Sequence, residues 1–278
     1  MLSPLTKRLV ALALEEDLGP GDLTSNATAD DTESSAEIVA KSELVLAGLE
    51  ALEETFRQLD PRVKVKRICD DGTHVAPQTV VAKLDGPARS LLSGERVALN
   101  FIQRLSGIAT LTRRCVVTIA HTNAKLVDTR KTTPGLRELE KQAVALGGAR
   151  NHRFGLFDGI LVKDNHIAAA GGVKPAIAKA RAAAHHLLKI EVEVQTFLEL
   201  DEALDAGADV ILLDNMSDEG MRRAVEKTKK RAILEASGSM SLERLPSVAA
   251  TGVDLISMGA LTHSAPAADL SMRWIRRR

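Results

Sequence analysis

Most of the chain after residue 93 alternates short apolar runs with segments of helical spacing. Six runs have the length and composition of strands: Ala124–Thr129, Gly159–Lys163, Ile190–Gln195, Val210–Asp214, Ala232–Ser237 and Val253–Met258. Helical stretches such as Leu198–Ala206 and Met221–Lys230 fill the gaps, and this alternation predicts a parallel sheet. A complete eight-unit barrel needs about 250 residues. The pattern therefore leaves two architectures open, an incomplete barrel and an open, doubly wound sheet.

The polar ends of the predicted strands favour the barrel. Five of the six runs finish at polar, charged or glycine residues, and active sites of barrels assemble at the carboxyl ends of strands. The remaining run, IEVEVQ, alternates throughout, with Glu191, Glu193 and Gln195 on one face. That face would point into the site if the strand were central. Taken alone, the pattern fits better an edge strand with one solvated face.

The first hundred residues mix strands and helices and predict a small α+β domain. An opening amphipathic helix carries its apolar stripe at Leu5, Leu9, Leu12 and Ala13. Strand-like and helical segments follow: Ala36–Leu46, a helix over Leu49–Leu59, Val63–Ile68 and Val80–Leu84. A long helix then begins at Ser93-Gly94-Glu95, with an apolar stripe formed by Val97, Phe101, Leu105 and Ile108.

Composition excludes several classes of protein. The chain has 278 residues, enough for a sizeable core without disulfide or metal staples. Lys plus Arg and Asp plus Glu are both 37, and this balance argues against a general nucleic-acid binder. No apolar run is long enough to cross a membrane. Cys69 and Cys115 form no disulfide framework, and no signal peptide is visible, so we expect a reducing, cytoplasmic location.

Cations cluster where two of the predicted strands, Ala124–Thr129 and Gly159–Lys163, begin or end. Arg130 and Lys131 lie in a hydroxyl-rich loop, a combination that suits a polyanion because Arg forks onto carboxylate or phosphate. His152 and Arg153 follow a glycine pair, and Lys163 ends the next strand. Each segment alone could be a solvated loop or a structural contact. If the sheet closes, however, the segments converge and form one anion-binding site.

Two acids face these cations across the predicted sheet. Glu193 and Asp214 lie on neighbouring strands, and their hard oxygens suit Mg²⁺ held together with a substrate phosphate, or ribose hydroxyls. The turns Ser237-Gly238-Ser239 and Gly259-Ala260 follow the last two strands, where backbone N–H groups often bind phosphate. The residues thus predict a site for a phosphorylated, Mg²⁺-bound substrate and a second, carboxylated one.

Longer motifs make the chain resemble the quinolinate phosphoribosyltransferase family. The motifs are EDLGPGDLTS, SGERVALNFIQRLSGIAT, DTRKTTPGLRELEKQAVALGGARNHRFGLFDGILVKDNH, IEVEVQ, GADVILLDNMS, LEASGS and TGVDLISMGALTHSAP. They run in the family's order from about Glu16 to Asp269. The resemblance implies an amino-terminal α/β sandwich domain over residues 1–108 and an incomplete α/β barrel of about seven strands over residues 109–266. It leaves the tail, 267–278, to pack on the first domain.

The resemblance also implies an activity. The family transfers the phosphoribosyl group of 5-phosphoribosyl 1-pyrophosphate to quinolinate with loss of CO₂, giving nicotinate mononucleotide and pyrophosphate in NAD biosynthesis. It implies Mg²⁺ as cofactor and a homodimer with shared active sites, and it gives no reason to expect a nucleic-acid or membrane partner.

Residue roles carry over from the matching motifs. Quinolinate would be bound by Arg104 of the partner subunit and by Arg130, His152, Arg153 and Lys163. Phosphoribosyl pyrophosphate would be bound by Lys131, Glu193, Asp214, Ser237, Gly238, Gly259 and His263. Glu193, Asp214 and Lys163 would be the catalytic residues, with Glu193 and Asp214 holding the metal directly or through water. Two positions depart from the family, Ala149 and Ser239, each standing where glycine is common.

Three alternatives remain open. The molybdenum-transport-associated branch of the family differs after the TRK triplet and in the KDNH block, both of which have the phosphoribosyltransferase form here. A Schiff-base lyase would use Lys163 as its nucleophile. A regulator that binds a phosphorylated metabolite would keep the phosphate turns but would not need Glu193 and Asp214.

Overall fold

A computed structural model of the chain describes residues 2–275, and these form two compact units. The first, here called the amino-terminal unit, comprises residues 2–113, 133–148 and 264–275. The second, the parallel-sheet unit, comprises residues 114–132 and 149–263. Each unit is therefore built from separate stretches of chain. The domain boundary expected between residues 108 and 109 falls inside a helix that runs from Ala88 to Thr118.

The elements up to the parallel-sheet unit are α1 Pro4–Leu18, α2 Leu23–Thr28, β1 Glu33–Ala40, β2 Leu44–Val45, α3 Leu49–Leu59, β3 Lys64–Arg67, β4 His74–Val75, β5 Val80–Pro87 and α4 Ala88–Thr118. Those that follow are β6 Lys125–Val127, α5 Arg137–Gly147, β7 Ile160–Val162, α6 Asp164–Ala170, α7 Val173–Ala183, β8 Ile190–Val194, α8 Phe197–Asp205, β9 Val210–Asp214, α9 Asp218–Thr228, β10 Ile233–Ser237, α10 Leu245–Ala249, β11 Leu255–Ser257, α11 Ala260–His263 and β12 Leu270–Trp274.

An antiparallel sheet in the order β12-β1-β5-β3 organises the amino-terminal unit. Its core packs one face of the sheet against α3 and α4, with Phe56, Leu52 and Ile102 fully buried. Gly94 lies where these helices approach each other, because a Cβ there would stand 2.6 Å from the Phe56 ring. Strand β12 pairs with β1, so the described part of the tail belongs to this sheet, and residues 276–278 lie outside the described residues.

Two predictions about helices had different outcomes. The stripe of α4 is confirmed, since Val97, Phe101, Leu105 and Ile108 are all buried, although the helix begins at Ala88 and not at Ser93. The stripe predicted for α1 is wrong, because Leu5 and Leu12 are 54% and 60% exposed. The buried positions are Thr6, Val10 and Leu14. A polar residue can lie on this face because the Thr6 hydroxyl donates to the carboxylate of Glu138.

The second unit is an incomplete barrel. Its six strands are parallel and lie in the order β6-β11-β10-β9-β8-β7, so consecutive strands are neighbours and the first strand pairs with the last. A doubly wound sheet would instead reverse its strand order at a switch point. Arg150 adds one isolated parallel bridge beside Val127, at the position of a seventh strand. Within the described residues β6 and β7 do not pair with each other, so the barrel stays open there.

Strand β8 lies between β7 and β9, so the interpretation of IEVEVQ as an edge strand is wrong. Its apolar face, Val192 and Val194, is fully buried. Its acidic face is also shielded, with Glu191 only 7% exposed. The registers pair Glu193 with Leu212 and Leu212 with Glu235, so β8, β9 and β10 contribute to the same polar face.

No helix within residues 2–275 is both long and apolar enough to cross a membrane. Both cysteines are free thiols, as the sequence predicts. Cys115 is fully buried, and burial raises the pKa of its thiol to about 11, so it stays protonated at neutral pH.

Candidate active site

The carboxyl ends of the parallel strands carry all but one of the predicted site residues. Arg130 and Lys131 follow β6, His152 and Arg153 follow the bridge at Arg150, and Lys163 follows β7. Glu193 lies in β8, Asp214 and Ser237 end β9 and β10, Gly238 follows β10, Gly259 follows β11, and His263 ends α11. The exception is Arg104, which lies on α4 in the amino-terminal unit.

Glu193 and Lys163 form an ion pair. The Lys163 Nζ donates to Glu193 Oε2 at 2.9 Å, and the carboxylate side chain is 12% exposed against 48% for the lysine. Lys163 also precedes α6, and its backbone N–H donates to Nδ1 of His166. An ammonium carries three donors, so Lys163 keeps donor capacity for a further anion while it holds Glu193.

Asp214 is held by the side-chain amides of Asn215 and Gln195. Asn215 Nδ2 donates to its Oδ2 at 2.9 Å, and Gln195 Nε2 lies 3.4 Å from the same oxygen. Asn215 adopts a left-handed backbone with φ 54°, which Asn tolerates better than most residues. Glu193 and Asp214 therefore occupy neighbouring strands, as predicted, but in different electrostatic surroundings.

The turn after β10 is tightly packed. Gly238 has φ 102°, and a Cβ there would stand 2.1 Å from Oδ1 of Asn215. Arg244, which sequence reasoning missed, joins this turn to the one after β9 by donating to the carbonyls of Gly238 and Met216. Ser239 adopts φ 47°, the left-handed region in which glycine is common. Ala149, the other departure from the family, has no positive φ and is accommodated.

Lys131, Gly259 and His263 lie together at the last strand. A Cβ on Gly259 would stand 3.0 Å from the Lys131 side chain and 3.2 Å from the His263 ring. The Thr262 hydroxyl donates to the Lys131 carbonyl at 2.8 Å, which joins the loop after β6 to α11. A lysine and a histidine side chain thus border the backbone at Gly259.

Arg130 and Arg153 bring positive charge to the same region. Burial lowers the pKa of Arg153, and the positive charge of Arg130 adds to this effect. The Arg153 guanidinium also donates to the Gly159 carbonyl at 3.0 Å. Asp158 holds the intervening loop by accepting from the N–H groups of Phe154 and Gly155. This arrangement brings like charges together, which an anionic ligand would relieve.

His152 lies in a buried cluster that the sequence did not reveal. Its Nε2 is 3.0 Å from Glu191 Oε2 and 3.8 Å from Glu235 Oε2. Asp128, fully buried after β6, accepts from the His152 backbone N–H at 2.7 Å. Burial and the charge of Glu191 raise the pKa of Glu235 to about 7. The alternation in IEVEVQ and LEAS put both glutamates on the polar face, but no motif indicated that they meet a histidine.

Arg104 is held within the amino-terminal unit. Its guanidinium donates to Glu140 Oε1 at 2.9 and 3.2 Å, to the Ala265 carbonyl and to the Thr133 hydroxyl. Glu140 is fully buried, and the arginine side chain keeps 27% exposure. Arg104 also lines a cavity of about 270 Å³ together with Glu16 and Asp17 of α1. These partners of the guanidinium all belong to its own unit, which therefore fixes its orientation.

Comparisons with known proteins show which family has this architecture. The quinolinate phosphoribosyl transferase N-terminal domain matches residues 22–106, and the C-terminal domain of the same family matches residues 108–273. The chain belongs to the quinolinate phosphoribosyltransferase family. It is 51% identical to a probable nicotinate-nucleotide pyrophosphorylase (carboxylating) of Bacillus subtilis, covering 96% of this chain and 92% of that one.

Other members extend the likeness to plants and to solved structures. A mitochondrial quinolinate phosphoribosyltransferase (decarboxylating) of Nicotiana tabacum is 42% identical over 96% of this chain and 81% of its own length. The structure of the nicotinate-nucleotide pyrophosphorylase from Francisella tularensis has a TM-score of 0.95 and is 40% identical, covering 99% and 98% of the two chains. The family's two-domain α/β architecture, predicted from the motifs, is confirmed.

The turn after β10 generates a prediction about stability. We expect Gly238→Ala to lower the free energy of unfolding by about 2 kcal/mol or more, because the new Cβ meets Asn215 in a backbone conformation that favours glycine. Ser239→Ala is the matched control and should change it by less than about 0.5 kcal/mol. Chemical denaturation without substrate measures both. Equal effects of the two substitutions would contradict the packing described for Gly238.

Proposed function

We propose that this chain catalyses the reaction of its family, the transfer of a phosphoribosyl group from 5-phosphoribosyl 1-pyrophosphate to quinolinate with decarboxylation. The enzyme would be a pentosyltransferase of NAD biosynthesis that releases nicotinate mononucleotide, pyrophosphate and CO₂. The observation that carries the proposal is the arrangement of Arg130, Arg153 and Lys163 beside Glu193 and Asp214 at the strand ends of a full-length family member. A cytoplasmic location stays a prediction from the sequence.

In the proposed coupling step, the ring nitrogen of quinolinate attacks C1 of the ribose as pyrophosphate leaves. Positive charge develops on the ribosyl group, and the Glu193 carboxylate would stabilise it. Lys163 would bind a substrate carboxylate with the donors that Glu193 does not use. Lys131, His263 and the backbone at Gly238 and Gly259 would hold the phosphates.

The second step, decarboxylation, depends on fewer interactions with the protein. Once alkylated, the pyridine ring is cationic, so the electron pair left on C2 by departing CO₂ lies beside a positive charge. A proton then replaces the carboxyl group at C2. The cations of the site would keep the remaining carboxylate in place, and closure of the site would exclude water from the intermediate.

Glu193 and Asp214 offer a donor set that fits Mg²⁺. Both are carboxylates on adjacent strands, and neither belongs to a group of three protein ligands within residues 2–275. Mg²⁺ is commonly held by one or two carboxylates, water and substrate phosphates, which matches such a pair. When bound, the ion would neutralise charge on the leaving pyrophosphate. We propose that Glu193 and Asp214 hold it directly or through water.

We also propose a homodimer in which Arg104 completes the partner's site. Arg104 is oriented by Glu140 and remains partly exposed, which suits a side chain that must bind an anion supplied from outside its own unit. Large apolar side chains are exposed on both units, including Leu12 on α1 and Leu156 and Phe157 after Arg153. Their burial would favour association.

The ion pair of Lys163 disfavours the Schiff-base alternative. A lysine nucleophile must direct its nitrogen at a carbonyl carbon, whereas the Lys163 Nζ donates to Glu193 Oε2 at 2.9 Å. A lysine held in this way suits the binding of a carboxylate substrate.

A turnover assay tests the proposed function. Purified protein supplied with quinolinate, phosphoribosyl pyrophosphate and Mg²⁺ should release nicotinate mononucleotide, and omission of Mg²⁺ should abolish most of the activity. Nicotinate lacks one carboxylate and would leave cations unpaired, so we expect discrimination of at least about a thousandfold in kcat/KM. Comparable use of the two acceptors would refute the assignment.

The acid pair generates a prediction about turnover. Glu193→Gln and Asp214→Asn keep shape and remove one negative charge each, so turnover should fall by about a hundredfold or more. Stability should change little, since Glu193 loses only a half-exposed ion pair. Glu226→Gln, at an exposed position on α9, is the control. A joint loss of thermal stability and quinolinate affinity, without a selective loss of turnover, would show that the acids are structural.

The proposed dimer generates a prediction about complementation. Arg104→Ala and Lys163→Ala proteins should each be nearly inactive. After subunit exchange, a mixed dimer would contain one intact site, and random mixing should recover up to about a quarter of parental activity. A double variant, Arg104→Ala with Lys163→Ala, mixed with either single variant is the control and should recover none. Absence of recovery after verified exchange would exclude a shared site.

A further inference from the structure

In the cluster formed by His152, Glu191 and Glu235, a single imidazole N–H faces two carboxyl groups. Glu191 and Glu235 are 7% and 1% exposed, and each has one oxygen, Oε1, that is buried without a hydrogen-bond partner. The imidazole Nε2 lies 3.0 Å from Glu191 but 3.8 Å from Glu235. A single N–H can satisfy Glu191, and Glu235 then remains a buried acid without a cation in contact.

The geometry on the other side of the ring determines which groups can take a proton. The backbone N–H of Arg153 donates to His152 Nδ1 at 2.7 Å, so Nδ1 acts as an acceptor and carries no hydrogen. The ring is then the neutral tautomer with its proton on Nε2. A metal ion on Nε2 is disfavoured for the same reason, since a neutral imidazole ligand would have to carry its hydrogen on Nδ1.

The groups around the cluster act on both residues that could hold the proton, His152 and Glu235. Burial lowers the pKa of His152, and the hydrogen bond to Glu191 with the charge of Glu235 raises it overall. The part due to Glu235 exists only while Glu235 is ionised. Arg153 opposes protonation of the ring, and Asp128 accepts from the backbone N–H of His152 at 2.7 Å. For Glu235, burial and the negative charge of Glu191 favour the neutral acid, against weaker effects of His152 and Ser257.

We propose that Glu235 is a positioning residue that is a neutral carboxylic acid at mildly acidic pH, and that its ionisation as the pH rises weakens binding of the dicarboxylate substrate. While Glu235 is neutral, the buried cluster carries one negative charge, on Glu191, and His152 keeps its orientation. When Glu235 loses its proton to solvent, the cluster around His152 carries two buried negative charges, next to Arg153, whose charge interacts with those of Glu191 and Arg130. The second part rests on the proposed function, because it names quinolinate as the anion affected.

The proton on Glu235 also makes the folding stability depend on pH. Because the folded protein raises the pKa of Glu235 from 4.5 to about 7, it binds more protons than the unfolded chain between these values. The contribution is therefore complete below about pH 4.5 and is lost as pH rises through about 7. Glu235→Gln imitates the neutral acid and should remove this part of the pH dependence, whereas Glu226→Gln should retain it.

Spectroscopy tests the protonation without any turnover. The infrared spectrum of the parent at about pH 6 should contain the carbonyl band of a protonated carboxylic acid, absent from Glu235→Gln and present in Glu226→Gln. ¹⁵N NMR of the unmodified protein should show an unprotonated Nδ1 on His152, with the signal assigned by its loss in His152→Asn. The NMR measurement keeps the test valid even if Glu235→Gln does not fold.

Kinetics tests the consequence for binding. The ratio of quinolinate KM at about pH 8.5 to that at about pH 6 should be at least about tenfold in the parent and in Glu226→Gln, with a smaller change in kcat. In Glu235→Gln the ratio should fall to about threefold or less. A purely structural role for Glu235 would lower stability and leave the ratio as in the parent.

Several results would overturn the proposal. They are an imidazolium at His152 near pH 6, an acid band that survives in Glu235→Gln, an unchanged KM ratio in that variant, or a stoichiometric metal in the parent that the variant loses. If the parent fails to turn over quinolinate at any pH, the proposed function is wrong, while the infrared and NMR results still decide the protonation of Glu235.

Discussion

The alternation of side chains along parallel strands is the constraint on which this site depends. Every second residue of β8, β9 and β10 points to the same face, and here that face carries Glu191, Glu193, Asp214 and Glu235. The opposite face must be apolar because helices cover it, and Val192 and Ile211 are fully buried there. The acids therefore cannot move to the other face, and each needs a proton, a cation or hydrogen-bond donors where it stands.

Each of these acids has a different partner. Near the strand ends, water is close, and Glu193 is matched by Lys163 while Asp214 is matched by the amide of Asn215. Deeper in the sheet, Glu191 is matched by the one proton of His152. Glu235 is level with Glu193 in the strand registers, yet it is only 1% exposed and lies 3.8 Å from Nε2 of His152. The interaction is an ion pair at Glu193, a hydrogen bond at Glu191 and a proton on the acid at Glu235, in the order of decreasing exposure to solvent.

Features of the site that depend on one segment of chain could be predicted from the sequence, and features that depend on contacts between distant segments could not. Strand positions and the alternation in IEVEVQ are local properties, so the strands and the polar face were predictable, and the motifs gave the residues at the strand ends. The hydrogen-bond and ion-pair partners of these residues were not predictable. His152 meets Glu191 and Glu235 because strands 40 to 80 residues apart in the chain become neighbours, roughly the separation at which local spacing carries no information. The preference for an edge strand failed for this reason, since a single strand does not reveal its neighbours.

The same reasoning applies to α1 and to the turn after β10. Spacing predicted a single apolar stripe on α1 that includes Leu5 and Leu12, whereas the buried face includes Thr6, whose hydroxyl donates to Glu138. In the turn, Gly238 and Ser239 both adopt positive φ, and a Cβ on Gly238 would stand 2.1 Å from Oδ1 of Asn215. The side chain at Ser239 costs about 1 kcal/mol of backbone strain. A position where glycine is common can therefore accept serine, while the adjacent one cannot, because close approach of the backbone is a stricter requirement than the sign of φ alone.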